Sequence, residues 1–362
     1  MRLAMDEQIF AIQRYGGISR LFAELAQQFV SGAVADVHLL PIDAPIVNRY
    51  VLDHPGLSGP LGAHAARNEW TALARYFSRV RSGTQADIIH NTFYLPHGLA
   101  SVRRAKRVVT IHDMIPELMP QTRRRLDFLT LKRRYVDTAD GIICVSEATK
   151  RDLLKIYPEV KAPVAVVHHG VDARFHPGVP RLDFLPPRYV LFIGNRNQYK
   201  DADVLFRAFA KVAAQDGDLQ LLCVGGAGLT SSEGAMLEGL GVRDRVSQRF
   251  LPDEAMASAY THAQVFVFPS RFEGFGLPAL EAMASGIPAV LARATSLPEV
   301  GGDAALYFEP GDEDGLASAI VQVLADAALR ERLVAAGLER AARFSWPVAA
   351  EKTADVYRSL VQ

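Results

Sequence analysis

Short apolar runs alternate along the chain with longer stretches in which apolar residues recur every three or four positions. The short runs predict strands near Arg2–Met5, Val37–Leu40, Asp87–His90, Arg107–Ile111, Gly141–Val145 and Val164–His168, then near Tyr189–Ile193, Gln220–Val224, Val246–Phe250, Val265–Phe268, Ala289–Leu291 and Ala305–Phe308. Most are continuously apolar rather than alternating, which predicts parallel strands buried on both faces. The longer stretches predict helices. Ile18, Leu21, Phe22, Leu25 and Phe29 follow Gly16-Gly17 at helical spacing, and Leu280, Met283, Ala284 and Ile287 follow Pro278. Repeated strand–helix–strand units predict an α/β fold of two Rossmann-like, doubly wound parallel-sheet domains facing across a cleft. Pro177, Gly178, Pro180, Pro186 and Pro187 mark residues 176–188 as the linker. The expected domains are then 1–175 and 189–345, with a helix over 346–362 packing back toward the first.

The 362 residues suit two domains at about 150 residues each. With 49% hydrophobic and 22% charged residues, the composition excludes a disordered chain, a disulfide miniprotein and a collagen-like fibre. Forty basic residues balance forty acidic ones, which argues against a nucleic-acid partner. The balance is uneven along the chain: residues 1–175 carry a net +6 and residues 176–362 a net −6. Cys144 and Cys223 both sit in apolar runs and read as reduced core thiols, in keeping with a cytoplasmic protein. Asp6 and Glu7 interrupt any signal-peptide core, and no uncharged apolar run reaches the length of about 18 needed to span a bilayer.

The sharpest chemistry lies in Phe268-Pro269-Ser270-Arg271-Phe272-Glu273-Gly274-Phe275-Gly276-Leu277-Pro278-Ala279-Leu280-Glu281-Ala282-Met283. A buried strand ends at Phe268, a glycine-containing loop follows, and a helix opens with Pro278 at its expected first position. Backbone N–H groups of Gly274, Phe275 and Gly276 near that helix start would suit an anion or sugar hydroxyls. Glu273 in the loop and Glu281 in the helix are acceptor-only carboxylates, suited to a polyhydroxylated ligand. The plainer reading is a dipole-stabilising acid beside a permissive loop.

This segment resembles the retaining glycosyltransferases of family 4, whose GT-B fold places a nucleotide-sugar between two Rossmann-like domains. The resemblance extends in order through Tyr15-Gly16-Gly17-Ile18-Ser19-Arg20, Thr110-Ile111-His112-Asp113, Val145-Ser146-Glu147, His169-Gly170-Val171-Asp172, Phe192-Ile193-Gly194-Asn195-Arg196, Lys200 and Gly286-Ile287-Pro288. It implies that Glu273 hydrogen-bonds the transferred sugar and Glu281 the nucleotide ribose. Gly274, Phe275, Gly276 and Leu277 would border sugar and phosphate, and Gly16 and Gly17 would let backbone approach the phosphate. Arg196 and Lys200 would neutralise the diphosphate; here they stand four positions apart, where many relatives have five. His112 would contact the donor sugar at the reaction centre, with Asp113 beside it, and Arg20 would face the same cleft. Ser146 and Glu147 read equally well as a plain helix cap.

Ten basic residues lie between Arg103 and Arg134, opposed only by Asp113, Glu117 and Asp127. If helical, Arg125, Lys132 and Arg133 fall on one face. They could meet a lipid-linked acceptor or anionic headgroups on the inner face of the cytoplasmic membrane, or form a solvated surface. Asp201-Ala202-Asp203, Asp216-Gly217-Asp218 and Asp312-Glu313-Asp314 read as helix starts or surface turns, so no catalytic metal and no cofactor beyond the substrate are expected. The Tyr-Gly-Gly-Ile-Ser-Arg variant resembles bacterial members that use GDP-mannose or related donors in surface polysaccharide assembly. A UDP-sugar donor, another GT-B activity such as an epimerase or phosphorylase, and a non-catalytic nucleotide-sugar binding protein are the alternatives.

Overall fold

The structure, a computed structural model, describes residues 1–78, 85–100, 105–120, 128–196 and 198–361. In the first half its strands are β1 (Arg2–Met5), β2 (His38–Leu39), β3 (Pro45–Ile46), β4 (His64–Ala65), β5 (Ile88–Asn91), β6 (Lys106–Ile111), β7 (Gly141–Cys144) and β8 (Val164–Val166). In the second they are β9 (Tyr189–Ile193), β10 (Gln220–Val224), β11 (Val246–Arg249), β12 (Val265–Phe268), β13 (Ala289–Ala292) and β14 (Ala305–Phe308). Every strand predicted from the apolar runs is present. The two-residue strands β3 and β4, which pair with each other, are additions that no run of that length announces.

Two compact units result, one of Met1–Gly170 with Ser345–Gln362, the other of Val171–Phe344. Each holds a six-stranded sheet, and every pairing in both sheets is parallel. The first runs β2-β1-β5-β6-β7-β8, so the chain steps outward from β1 to β2 and returns across β1 to β5. The second runs β11-β10-β9-β12-β13-β14, the Rossmann order, and reverses between β9 and β12. Open sheets of this kind take ligands at the carboxyl ends of the strands where the order reverses. β5, β7, β9, β12 and β13 are buried along their whole length, as strands covered on both faces should be.

In the first unit, helix Gly17–Val30 buries Leu21, Phe22, Leu25 and Phe29 against the sheet. Helix Trp346–Val361 places Trp346, Ala349, Ala350, Ala354 and Tyr357 in that same core. Two glycines make room for it. A Cβ at Gly141 would stand 2.9 Å from Leu360 Cδ1, and one at Gly170 would collide with the backbone of Ser345 and Trp346.

In the second unit, residues 176–188 lie along helix Asp253–Thr261. Ser258 Oγ donates to the Pro180 carbonyl at 2.8 Å and accepts from Leu182 N at 3.2 Å. The helix after β12 spans Leu277–Ala284, so Pro278 is its second residue rather than its first. Gly286 takes φ +73° just past its end. Gly286 N donates to Met283 O at 3.1 Å and Ile287 N to Ala282 O at 3.3 Å, the paired bonds of a Schellman stop. Ile287 therefore leaves the helix but keeps its buried position. Among the described residues no helix is long and apolar enough to cross a membrane.

Candidate functional site

The reversal point of the second sheet gathers the chain's sharpest motifs. The loop leaving β9 carries Gly194, Asn195 and Arg196 and turns through a short 3₁₀ segment, Gln198–Lys200. The loop leaving β12 carries Pro269 to Gly276. The two are tied by Arg271 N donating to Tyr199 O at 2.8 Å and by an Arg271–Asp201 ion pair at 2.7 Å. Lys200 Nζ meets Glu273 Oε1 at 2.5 Å, with both side chains only 13% and 12% exposed. The same ammonium lies 4.9 Å from the ring centroid of Phe268, a cation–π contact that helps hold it in a partly desolvated place.

The Glu273 loop is fixed from beneath. Glu273 N donates to Thr295 Oγ1 at 2.9 Å, and Ser296 Oγ donates to the carbonyls of Glu273 at 3.0 Å and Phe275 at 2.8 Å. Thr295 itself adopts φ +44°, costly for a β-branched residue and a kind of strain that clusters at functional sites. Gly276 caps the helix at φ +107°, where a Cβ would stand 2.8 Å from Leu297 Cδ2, so glycine is required on two counts. Gly274 lies in the loop between Glu273 and Phe275, and Leu277 opens the helix. Phe275 is buried, edge-on to Phe344 at 5.9 Å. Glu281 is buried one turn into the helix, and its Oε2 accepts from the Tyr260 hydroxyl at 2.8 Å.

Arg196 does not join the Lys200–Glu273 pair. Its Nε pairs with Glu233 at 2.7 Å, and Nη2 donates to the carbonyls of Ala227 at 2.6 Å and Gly228 at 2.9 Å. It thereby ties the Gly225–Gly228 loop after β10 to helix Ser231–Gly239, whose capping box is Thr230 with Glu233. Burial opposes the charge on Glu233, but the Thr230 amide and the Arg196 guanidinium outweigh it and hold the carboxyl below its ordinary value. Sequence reasoning had not found Glu233. The signal was there in Thr230-x-x-Glu233, which reads as a cap and not as an arginine's partner.

In the first unit, Gly16 and Gly17 open helix Gly17–Val30. A Cβ at Gly16 would run into the Gln13 side chain, whose Oε1 accepts from Ser19 N at 2.9 Å. The Arg20 guanidinium lies 5.4 Å from the ring centroid of Tyr50, which meets Tyr15 edge-on at 5.6 Å.

His112 follows β6 and is buried at 8% exposure, with its Nε2 lacking a hydrogen-bond partner among the described residues. Burial, followed by His169, His90 and Lys132, pushes its pKa well below the ordinary 6.5, so the ring is a neutral imidazole. Asp113 Oδ1 accepts from Ile115 N at 3.0 Å. Lys132 Nζ donates to the Asp113 carbonyl at 2.5 Å and to Glu117 at 3.0 Å, with both side chains of that pair 6% exposed. This corrects the expectation that Lys132 and Arg133 share an outward face. In helix Phe128–Thr138, Lys132 turns inward, while Arg133 turns outward to Asp137 at 2.8 Å. Arg125 lies outside the described residues. Ser146 caps helix Glu147–Ile156, accepting from Thr149 N at 3.0 Å.

The first sheet's own reversal point holds a group that the sequence did not reveal. Asp6, just beyond β1, accepts from Asn91 Nδ2 at 2.6 Å, Thr92 N at 2.9 Å, Thr92 Oγ1 at 2.7 Å and Gln8 Nε2 at 2.5 Å. Gln8 Oε1 in turn accepts from Leu95 N at 2.6 Å. All of these side chains are buried. In the sequence Asp6 reads only as an interruption of an apolar start, because two of its partners, Asn91 and Thr92, lie 85 and 86 residues away and the parallel pairing of β1 with β5 brings them to it.

The three Asp-x-Asp patterns are occupied structurally: Asp201 by Arg271, Asp216 by Arg188 at 3.0 Å, and Asp312 as the cap accepting from Gly315 N at 2.9 Å. Among the described residues no three His, Cys, Asp or Glu side chains converge as a group that could hold a metal ion.

Comparison with known proteins gives consistent matches. Residues 15–175 match the family described as Glycosyltransferase Family 4, and residues 182–340 the one described as Glycosyl transferases group 1. The chain is 31% identical over 313 residues to the O-antigen chain mannosyltransferase B of Escherichia coli, covering 82% of this chain and 78% of that protein. It is 32% identical over 282 residues to a D-inositol 3-phosphate glycosyltransferase of Corynebacterium diphtheriae, covering 72% of this chain and 63% of that protein. Among solved structures, Anabaena HepE in complex with UDP and glucose superposes with a TM-score of 0.78 at 19% identity, covering 99% of this chain and all of that one. At that identity the likeness shows the fold.

Proposed function

The chain belongs to glycosyltransferase family 4 and has the GT-B fold, and from that premise we propose that it moves a hexose from a nucleoside diphosphate sugar to a saccharide or lipid-linked saccharide, with retained anomeric configuration. The favoured donor is GDP-mannose, and the setting is surface polysaccharide synthesis at the cytoplasmic face of the membrane. The mannosyltransferase among its relatives supports that choice of sugar. The observation that carries the proposal is the Lys200–Glu273 pair at the reversal point of the second sheet, where an open parallel sheet takes its ligand.

In this reading the leaving diphosphate gathers negative charge, and Lys200, with Arg196, stabilises it in a site that excludes water. Glu273 exchanges its hold on Lys200 for hydroxyls of the transferred sugar, while Glu281, oriented by Tyr260, binds the ribose. His112, neutral and with an unpartnered Nε2, contacts the sugar. The acceptor attacks from the face that the diphosphate leaves, and the diphosphate takes the acceptor's proton. No metal is needed, since fixed cations carry the charge stabilisation.

Calorimetry of GDP and UDP binding, in EDTA and again with Mg²⁺, tests this. GDP should bind more tightly by about tenfold or more, a difference of about 1.4 kcal/mol, and equally well with either addition. The Glu281→Gln and Arg196→Ala variants should weaken donor binding and leave the fold intact. Preference for UDP would overturn the mannose donor, dependence on Mg²⁺ the metal-free mechanism, and unchanged donor kinetics in both variants the assigned roles.

A further inference from the structure

Helix Trp346–Val361 connects by hydrogen bonds to the strand that leads into His112. Tyr357, in helix Trp346–Val361, is fully buried, and its hydroxyl lies 2.6 Å from His90 Nδ1. His90 sits on β5, also fully buried, and its Nε2 lies 2.8 Å from Thr110 Oγ1. Thr110 is on β6, two residues before His112. Its carbonyl accepts from the Tyr94 hydroxyl at 2.6 Å. Just beyond the histidine, the Asp113 carbonyl accepts from Lys132. Phe22 fills the space beside the two imidazoles, edge-on to His90 at 5.1 Å and to His112 at 5.9 Å.

A neutral imidazole has one donor and one acceptor nitrogen. A tyrosine hydroxyl on one and a threonine hydroxyl on the other therefore satisfy both nitrogens and hold the ring in place, each hydroxyl being able to donate or accept. A leucine or phenylalanine at 90 would take away the partner that the buried Tyr357 and Thr110 hydroxyls share, so the three side chains stand or fall together.

We propose that Tyr357, acting through His90 and Thr110, is a positioning residue for His112. The chain Tyr357–His90–Thr110 sets the end of β6, with the Lys132–Asp113 contact holding the other side, so that the unpartnered His112 Nε2 keeps its aim. The proposal rests on the reading that His112 faces the transferred sugar. It adds that the aim is set from the far end of the sequence.

The test compares Tyr357→Phe, His112→Ala and Leu360→Ala in the full chain. Leu360 lies on the same helix, partly buried against the same core, and has no polar side-chain atom with which to enter the chain. GDP-mannose with octyl α-mannoside is the probe for turnover, and the imidazole ¹H–¹⁵N spectrum, with His112 assigned from the alanine variant, is the second readout. Tyr357→Phe should shift the His112 resonances and lower kcat by about 10- to 100-fold, with donor KM within about twofold, as expected of a misaimed group. Leu360→Ala should lower the melting temperature while leaving the His112 resonances and kcat in place. Unmoved His112 resonances in Tyr357→Phe would overturn the proposal, as would a shift that Leu360→Ala reproduces in full. If His112→Ala keeps full kcat, the premise falls and the proposal with it. If His112→Ala loses activity and Tyr357→Phe does not, the positioning role alone falls.

Discussion

The two sheets solve the same topological problem with opposite chemistry. At the reversal point of the second, Lys200 and Glu273 face each other as a formal ion pair on two loops. At that of the first, Asp6 is buried among amide, hydroxyl and backbone donors. An ion pair on loops can be opened by a ligand that offers one partner a better charge. A buried set of neutral donors around one carboxyl group offers no opposite charge for a ligand to replace. The first arrangement suits binding, and the second suits holding a surface in shape.

That contrast can be broken most severely at Asp6. Asp6→Ala would leave the buried donors of Asn91, Thr92 and Gln8 without their acceptor and should destabilise the first unit by roughly 3–5 kcal/mol. Both tryptophans, Trp70 and Trp346, belong to that unit, so tryptophan fluorescence in a denaturant titration reads it alone. An unchanged midpoint would mean that the network is not holding the reversal point.

The second unit should respond the other way. Lys200→Ala should reduce sugar transfer by about 10²–10³-fold, the usual loss for one stabilising donor, while changing the melting profile little. A variant that melts early but keeps its turnover would reverse the assignment of the two sites.

A smaller effect sharpens the comparison through pH. Burial lowers His90 to about 3, and burial followed by His168 lowers His169 to about 3; both rings lie in the first unit. Each binds its proton more readily unfolded, at the ordinary 6.5, than folded. Stability is therefore whole above about pH 6.5 and declines as pH falls from there toward 3, by about 1.4 kcal/mol per pH unit for each ring. Tryptophan-detected melting at pH 7 and pH 5 should show the first unit weakening on acidification. A transition that does not move would mean that the two rings are open to protonation in the folded state.

How much of this was legible in the sequence follows the range of the interactions. Strands in both sheets could be read because most are continuous apolar runs, a signal contained within five or six residues. The Glu273–Glu281 segment could be read because loop, helix start and both carboxylates lie within one stretch of chain. Asp6 could not, since Asn91 and Thr92, at and just past the end of β5, reach it only through strand pairing. Lys132 was misread for a related reason. In a run of ten basic residues it looks like its neighbours, and only Glu117, fifteen positions earlier, shows that it is buried. Arg196 was recognised by its neighbours in the motif, but Glu233 and the loop carbonyls that orient it lie more than thirty residues on.

The division of the chain has a consequence for how the protein is made. The first unit is completed by residues 345–362, which leave the ribosome only after all of 171–344. At about 5–20 residues per second, that delay is roughly ten seconds or longer. Throughout it, the nascent first unit lacks Trp346, Ala350 and Tyr357 from its core, and His90 waits without its phenol. Until then the apolar residues that this helix packs against, Phe22 and Phe29 among them, stay without that cover.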